Sequence, residues 1–299
     1  MYHEHYGLVR SPFEMTPDPA FLVLGDTHRE GLATLVYAVR SRKGFVLLTG
    51  EVGTGKTMLL HSLLSQLDRE TAAAFIFNPR LEPLDFFRML FEELGIEQAC
   101  HTKAEYLLAL NRFLIERLER DLPTLLIVDE AQNLSAEMLE EIRLLSNLET
   151  STSKLLQIML VGQPELADMI AKPELRQLRQ RIVLRHNLRP FTEEEMNHYV
   201  DERLRLAGYT GKALFKNSAL RELYRVTGGV PRLINVVCDG ALLLGFGREL
   251  ATLDAAVIRE VASDLSLIAP EPTVGPSGMT RAKPRNGLMA WLRRATGGN

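Results

Sequence analysis

Short apolar strands alternating with helices predict an α/β protein built on a five-stranded parallel sheet, followed by a separate all-helical domain. Three observations carry this. Runs such as GFVLLTG, TLLIVDE and KLLQIMLVG are apolar almost throughout, as strands covered on both faces must be. Stretches with apolar residues at helical spacing separate them. After Pro190 the strand pattern stops and four helical stretches follow one another.

Taken in order, Pro12, Pro17 and Pro19 make residues 1–30 an irregular lead-in, because proline fixes φ and removes a donor. A helix is expected from about His28 to Arg40. GFVLLTG is the first strand, TMLLHSLLSQL a helix and AAAFIFN the second strand. PLDFFRMLFEELG is a helix stopped by Gly95, and AEYLLALNRFLIERLER a longer one. TLLIVDE is the third strand, and SAEMLEEIRLLSNLE a helix with Ser135 as N-cap. KLLQIMLVG and RIVLRH are the fourth and fifth strands. Thr192 and Glu195 have capping-box spacing at the head of the helical domain. The expected domains are therefore 31–190 for the α/β core and 191–265 for the helices. Residues 266–299, rich in Pro and Gly with little apolar content, read as a disordered tail.

Composition narrows the partners. A net charge of -3 gives no whole-chain argument for nucleic acid or an anionic membrane. Cys100 and Cys238 are the only cysteines, without zinc-site spacing, which fits a reducing cytosol. No signal peptide and no run of about 18 apolar residues is visible. A cytoplasmic protein is expected, with peripheral contact at the inner membrane through its tail as a further option.

The segment GEVGTGKT fits the phosphate-loop pattern, with Gly50, Gly55, Lys56 and Thr57 at the fixed places. Glycines let main-chain amides approach phosphates with no Cβ in the way. The following helix turns its positive end toward the same anion. Gly50, Glu51, Val52, Gly53, Thr54, Gly55, Lys56, Thr57 and Met58 are thus expected to hold ATP, with Lys56 on the β- and γ-phosphates and the Thr57 hydroxyl on Mg2+. Asp129 and Glu130 end the third strand. The aspartate suits the magnesium site and the glutamate a general base for the attacking water.

GFVLLTGEVGTGKT, LLIVDEAQNL, LQIMLVGQPEL, LRQRIVLRHNLRPFT and TGGVPRLINVVCDGAL together resemble the AAA+ ATPases of the ExeA/GspA group. That group is linked to type II secretion, pilus biogenesis and polysaccharide export. The opening YGLVRSPFEMTPDPAFL is also similar, so the resemblance covers about residues 1–265. It implies a P-loop NTPase of the AAA+ type whose helical domain acts as a lid, with the N-terminal segment completing the nucleotide site. It implies a first sensor at Gln163 and a second at Arg232. An arginine before the fifth strand would reach a neighbouring subunit's γ-phosphate; Arg181 matches best and Arg179 second, in a segment that also carries Arg176 and Arg185. Such a finger requires oligomerisation, and a closing head-to-tail contact makes a ring.

The chain departs from longer members of that group in showing no transmembrane segment and no peptidoglycan-binding region, which favours a motor or switch working with an envelope-system partner. In the tail, Glu271 is the one acid against Arg281, Lys283, Arg285, Arg293 and Arg294. Trp291 lies beside the last two, so a membrane or partner contact competes with a plain disordered tail. The alternative function is an ATP-dependent, DNA-associated regulator of the TnsC/TniB transposition type, less favoured because the charge is not basic and no helix-turn-helix is evident. A nucleotide-binding scaffold with negligible turnover is the third reading.

Overall fold

A computed structural model describes residues 2–15, 21–68, 70–77, 82–151 and 153–268. The element order is α1 (Tyr2–Tyr6), α2 (Asp26–Arg40), β1 (Phe45–Gly50), α3 (Lys56–Gln66), β2 (Ala72–Ile76), α4 (Pro83–Leu94), α5 (Lys103–Glu119), β3 (Thr124–Val128), α6 (Ala136–Leu145), β4 (Gln157–Gly162), α7 (Pro164–Ala171), α8 (Arg176–Arg181), β5 (Ile182–Leu188), α9 (Glu193–Leu206), α10 (Asn217–Thr227), α11 (Pro231–Gly247) and α12 (Ala255–Asp264). The chain divides into two compact units. One is Asp26–Arg189; the other joins Met1–Gly25 to Pro190–Asn299.

Unit Asp26–Arg189 is built on a five-stranded parallel sheet in the order β2-β3-β4-β1-β5. The register pairs Val46 with Met159 and Leu126 with Ile158. Position in the sheet explains the sequence of each strand. The interior strands β1, β3 and β4 are buried at every residue, so each is almost continuously apolar. The edge strand β5 alternates, with Val183, Arg185 and Asn187 exposed along its middle. At the other edge the Phe75 N–H of β2 donates to Glu93 Oε2 of α4 at 3.0 Å, which occupies one of the edge donors open to a foreign strand. The helices carry their own stop and start signals. Thr102 and Glu105 form a capping box on α5, Ser135 accepts the Met138 N–H at the head of α6, and Gly95 ends α4 at φ 67°.

The helical unit has its own core. Met196, Val200 and Leu204 of α9 pack with Ile234, Val237 and Leu242 of α11. The capping box expected at Thr192 and Glu195 is formed. Gly228 and Gly229 take φ of 57° and 77°; the second does so because its carbonyl accepts the Phe191 N–H at 2.9 Å, and a Cβ there would lie 2.0 Å from Phe191 O.

Two sequence expectations change. The first 30 residues are not wholly irregular, since α1 is a helix and α2 begins at Asp26. Proline opposes helix only at and just before its own position, and none precedes Pro12. Tyr2 and Tyr6, four residues apart, bury one face of α1. Those two side chains, with Leu8, Phe13 and Phe21, belong to the core of the helical unit. The buried Arg203 fixes this segment, its Nε donating to Pro12 O and its Nη1 to Tyr199 Oη at 2.7 Å. Helices α7 and α8, between β4 and β5, are the second addition. The tail residues singled out by sequence, Trp291 and its neighbouring cations included, lie outside the described residues.

Candidate nucleotide site

Strand order assembles the candidate residues. β4 lies between β1 and β3, and all three run parallel. The segments leaving their carboxyl ends therefore emerge side by side: the glycine loop after β1, Asp129 and Glu130 after β3, and Gln163 after β4. Ligands of open parallel sheets collect at that end.

The loop is shaped by its glycines. Gly53 and Gly55 have φ of 81° and 97°, a region an L side chain enters at a cost of about 1–2 kcal/mol. A Cβ on Gly50 would lie 2.9 Å from both Leu188 O and Thr54 Oγ1. Thr54 closes the loop, donating from N and Oγ1 to Glu51 O at 3.3 and 2.8 Å. The first intrahelical bond of α3 is Leu59 N–H to Gly55 O, and no side chain caps the helix among the described residues. The amides of Lys56, Thr57 and Met58 thus precede the hydrogen-bonded ladder, the arrangement that suits an anion. Glu51 and Val52 are exposed at the rim.

Lys56 is 7% exposed, and its Nζ donates to Gly50 O at 2.7 Å and Glu51 O at 3.1 Å. Burial pulls its pKa below the usual lysine value, against the opposing pull of Glu130 and Asp129. Asp129 is 3% exposed, and burial pushes its carboxyl up. Its Oδ2 accepts from Thr57 Oγ1 at 3.4 Å and its Oδ1 from the Glu130 N–H at 2.8 Å. This hydroxyl–carboxylate pair beside the uncapped helix start fits a hard divalent cation carried on phosphates. Glu130 sits at φ 53°, ψ 36°, a left-handed conformation rare outside glycine and typical of functional turns. Its Oε2 accepts from Gln132 Nε2 and from Gln163 Nε2, the latter at 3.4 Å.

The arginine candidates of unit Asp26–Arg189 make no hydrogen bond to this cluster among the described residues. Arg181, at the end of α8, donates to Asn147 Oδ1 at 3.2 Å, and Arg179 to Ala171 O at 3.0 Å. Arg176 and Arg185 are exposed. Arg232 lies in the first turn of α11, in the other unit, where it is exposed. Two residues of this region escaped the sequence reading. One is Gln132, bonded to Glu130 and to the Gln163 N–H. The other is buried His28, whose Nε2 donates to Thr54 O at 2.7 Å and would lie 3.2 Å from a Cβ on Gly55.

Residues 39–170 match the model of an AAA domain. The chain is 42% identical over 274 residues to general secretion pathway protein A of Aeromonas hydrophila, a match covering 91% of this chain and 50% of that protein. The chain has the AAA+ fold and is similar in sequence to the general secretion pathway A group. It spans about half the length of that curated relative. Solved AAA+ structures share the fold at low identity. The Aeropyrum pernix ORC2 protein has a TM-score of 0.62 at 16% identity, over 85% of this chain and 71% of that one. Drosophila ORC bound to DNA gives 0.65 at 17%, over 88% and 66%. The Thermotoga maritima RuvB Holliday junction branch migration motor gives 0.53 at 16%, over 81% and 70%. No helix among the described residues is long and apolar enough to cross a membrane.

Proposed function

We propose that this AAA+ protein binds ATP with Mg2+ at the loop Gly50–Thr57, hydrolyses it, and works as an oligomeric motor or switch for an envelope secretion, pilus or polysaccharide export system. The observation that carries the reading is the meeting of three strand ends. They put an acid in an uncommon backbone conformation, Glu130, next to the Asp129–Thr57 pair at an uncapped helix start.

In this reading the main-chain amides of the loop and the Lys56 ammonium bind the β- and γ-phosphates. Thr57 and Asp129 hold the magnesium ion, which supplies charge neutralisation on the phosphate oxygens. Glu130 takes a proton from water as the water oxygen bonds to the γ-phosphorus. The bond to the β–γ bridging oxygen breaks, and its electron pair leaves with ADP. Gln163 steadies Glu130 from the head of α7. Arg232 and a neighbouring copy's Arg181 complete the set of phosphate cations. What supports Arg232 is an exposed guanidinium with no hydrogen bond or ion pair among the described residues. Arg181 is supported by its place on the segment before the edge strand β5. The secretion role rests on the likeness to general secretion pathway protein A.

Phosphate release by the wild type, Lys56→Ala and Glu130→Gln tests the reading. Glu130→Gln is expected to retain ATP·Mg binding and to lose roughly 10²–10⁴ in turnover, while Lys56→Ala loses binding as well. Equal turnover in wild type and Glu130→Gln removes the catalytic assignment.

A further inference from the structure

We propose that Gln132 is a positioning residue for Glu130, one that occupies carboxylate oxygen Oε2 and leaves Oε1 to take the proton of the attacking water. The proposal rests on the reading of Glu130 as the base.

The orientation of the Gln132 amide follows from hydrogen-bond chemistry. The main-chain N–H of Gln163 can only donate, so the Gln132 atom facing it at 3.1 Å is the carbonyl Oε1. The amide is planar, so its NH2 then points the other way, and there Nε2 meets Glu130 Oε2. The Gln163 side chain brings a second donor to that same oxygen at 3.4 Å. Oε1 of Glu130 makes no hydrogen bond among the described residues.

Every member of this chain is held. Gln132 lies in a tight 3-10 turn, Ala131–Asn133, closed by Asn133 N–H to Glu130 O at 2.9 Å. The Glu130 main chain is tied by its own N–H to Asp129 Oδ1. The far end of Gln132 sits where a side chain at position 162 would go, since a Cβ on Gly162 would lie 2.5 Å from Gln132 Oε1. Glycine at the last residue of β4 is therefore what admits the amide. The turn after β3 and the head of α7 are joined through one carboxamide, and the carboxylate beside it loses the freedom to swing. Misplacement of a base by about 1 Å is enough to cost on the order of 100-fold in rate.

Steady-state ATP·Mg hydrolysis by the full chain tests this with Gln132→Ala, Gln132→Glu and each of these combined with Glu130→Gln. Both single variants are expected to lose roughly 10- to 100-fold in kcat, with KM for ATP changed less than about threefold because no phosphate contact is touched. Gln132→Glu is equal in size and keeps an acceptor for the Gln163 N–H, so it reads loss of the donor even if Gln132→Ala folds poorly. On the Glu130→Gln background Gln132→Ala is expected to change the residual rate less than about twofold, since no carboxylate remains to be placed. A purely structural glutamine would lower the rate on both backgrounds alike, and that result overturns the proposal. Wild-type kcat in both Gln132 variants beside an inactive Glu130→Gln overturns it alone. Wild-type turnover in Glu130→Gln overturns the base assignment, and this proposal with it.

Discussion

Replacing Lys56 by methionine separates the grip on nucleotide from the stability of the fold. The lysine is nearly buried, with two carbonyl acceptors, and burial outweighs the neighbouring carboxylates in lowering its pKa. Its charge therefore costs folding free energy in the protein without nucleotide. Methionine fills similar volume and relieves that cost, at about 1.4 kcal/mol for each pKa unit of depression. Against this stands the lost donor. Glu51 O keeps two donors from Thr54, so the loss falls on Gly50 O and is worth about 1 kcal/mol. The two effects oppose one another, and the nucleotide-free variant is expected to melt within about 4 °C of wild type. Breaking a buried ion pair would instead cost about 3–5 kcal/mol and lower the midpoint by at least about 6 °C. ATP·Mg at one hundred times its Kd adds about 2.7 kcal/mol to wild type, about 5–10 °C, and is expected to add almost nothing to the variant. Thermal scans with and without ATP·Mg measure both. A fall of about 8 °C or more without nucleotide, or an undiminished shift with it, refutes the reasoning. The pH dependence has a fixed sign. The penalty is full below the lowered lysine pKa and shrinks as pH rises through it toward 10.5, so wild type gains on the variant in the alkaline range.

Asp129→Asn is expected to raise the stability of the nucleotide-free protein at pH 7 by up to about 2 kcal/mol while abolishing magnesium-dependent hydrolysis, because the amide oxygen can still accept the Glu130 N–H without a buried charge. Burial raises the Asp129 pKa, so its penalty is present above that pKa and fades as pH falls through it toward 3.8; the urea midpoints of wild type and Asp129→Asn should draw together as pH is lowered from 7. In the helical unit Gly229→Ala is expected to cost about 2–5 kcal/mol, combining a left-handed φ with a Cβ 2.0 Å from Phe191 O. Gly228→Ala, with open space around its Cβ, is expected to cost only about 1–2 kcal/mol. Equal urea midpoints for the two alanine variants would show that the contact with Phe191 does not matter.

Much of the sheet was legible because the interior strands are short and nearly all apolar, and because glycine or acid marks where β1, β3 and β4 leave the core. Tyr2 and Tyr6 show what a local reading misses. Their burial depends on α11, more than two hundred residues away, and the prolines that follow drew attention to the absence of helix rather than to its presence before Pro12. Arg203 is similar, since nothing in DERLRL distinguishes a buried arginine from its solvated neighbours. Its partners are a carbonyl at Pro12 and the hydroxyl of Tyr199.

The candidate site divides along the same line. Gly50, Lys56, Thr57, Asp129 and Glu130 were readable because each has a fixed offset from the end of a strand, and backbone geometry converts that offset into position. Gln132 has such an offset too, two residues beyond Glu130, but its importance comes from a neighbour 31 residues on. Only the insertion of β4 between β1 and β3 brings the Gln163 N–H within reach, and only a glycine at 162 leaves room for the amide. Neither fact is carried by the spacing of VDEAQNL. A phosphate loop is a local device, whereas the aim of an acid beside it is a property of strand order.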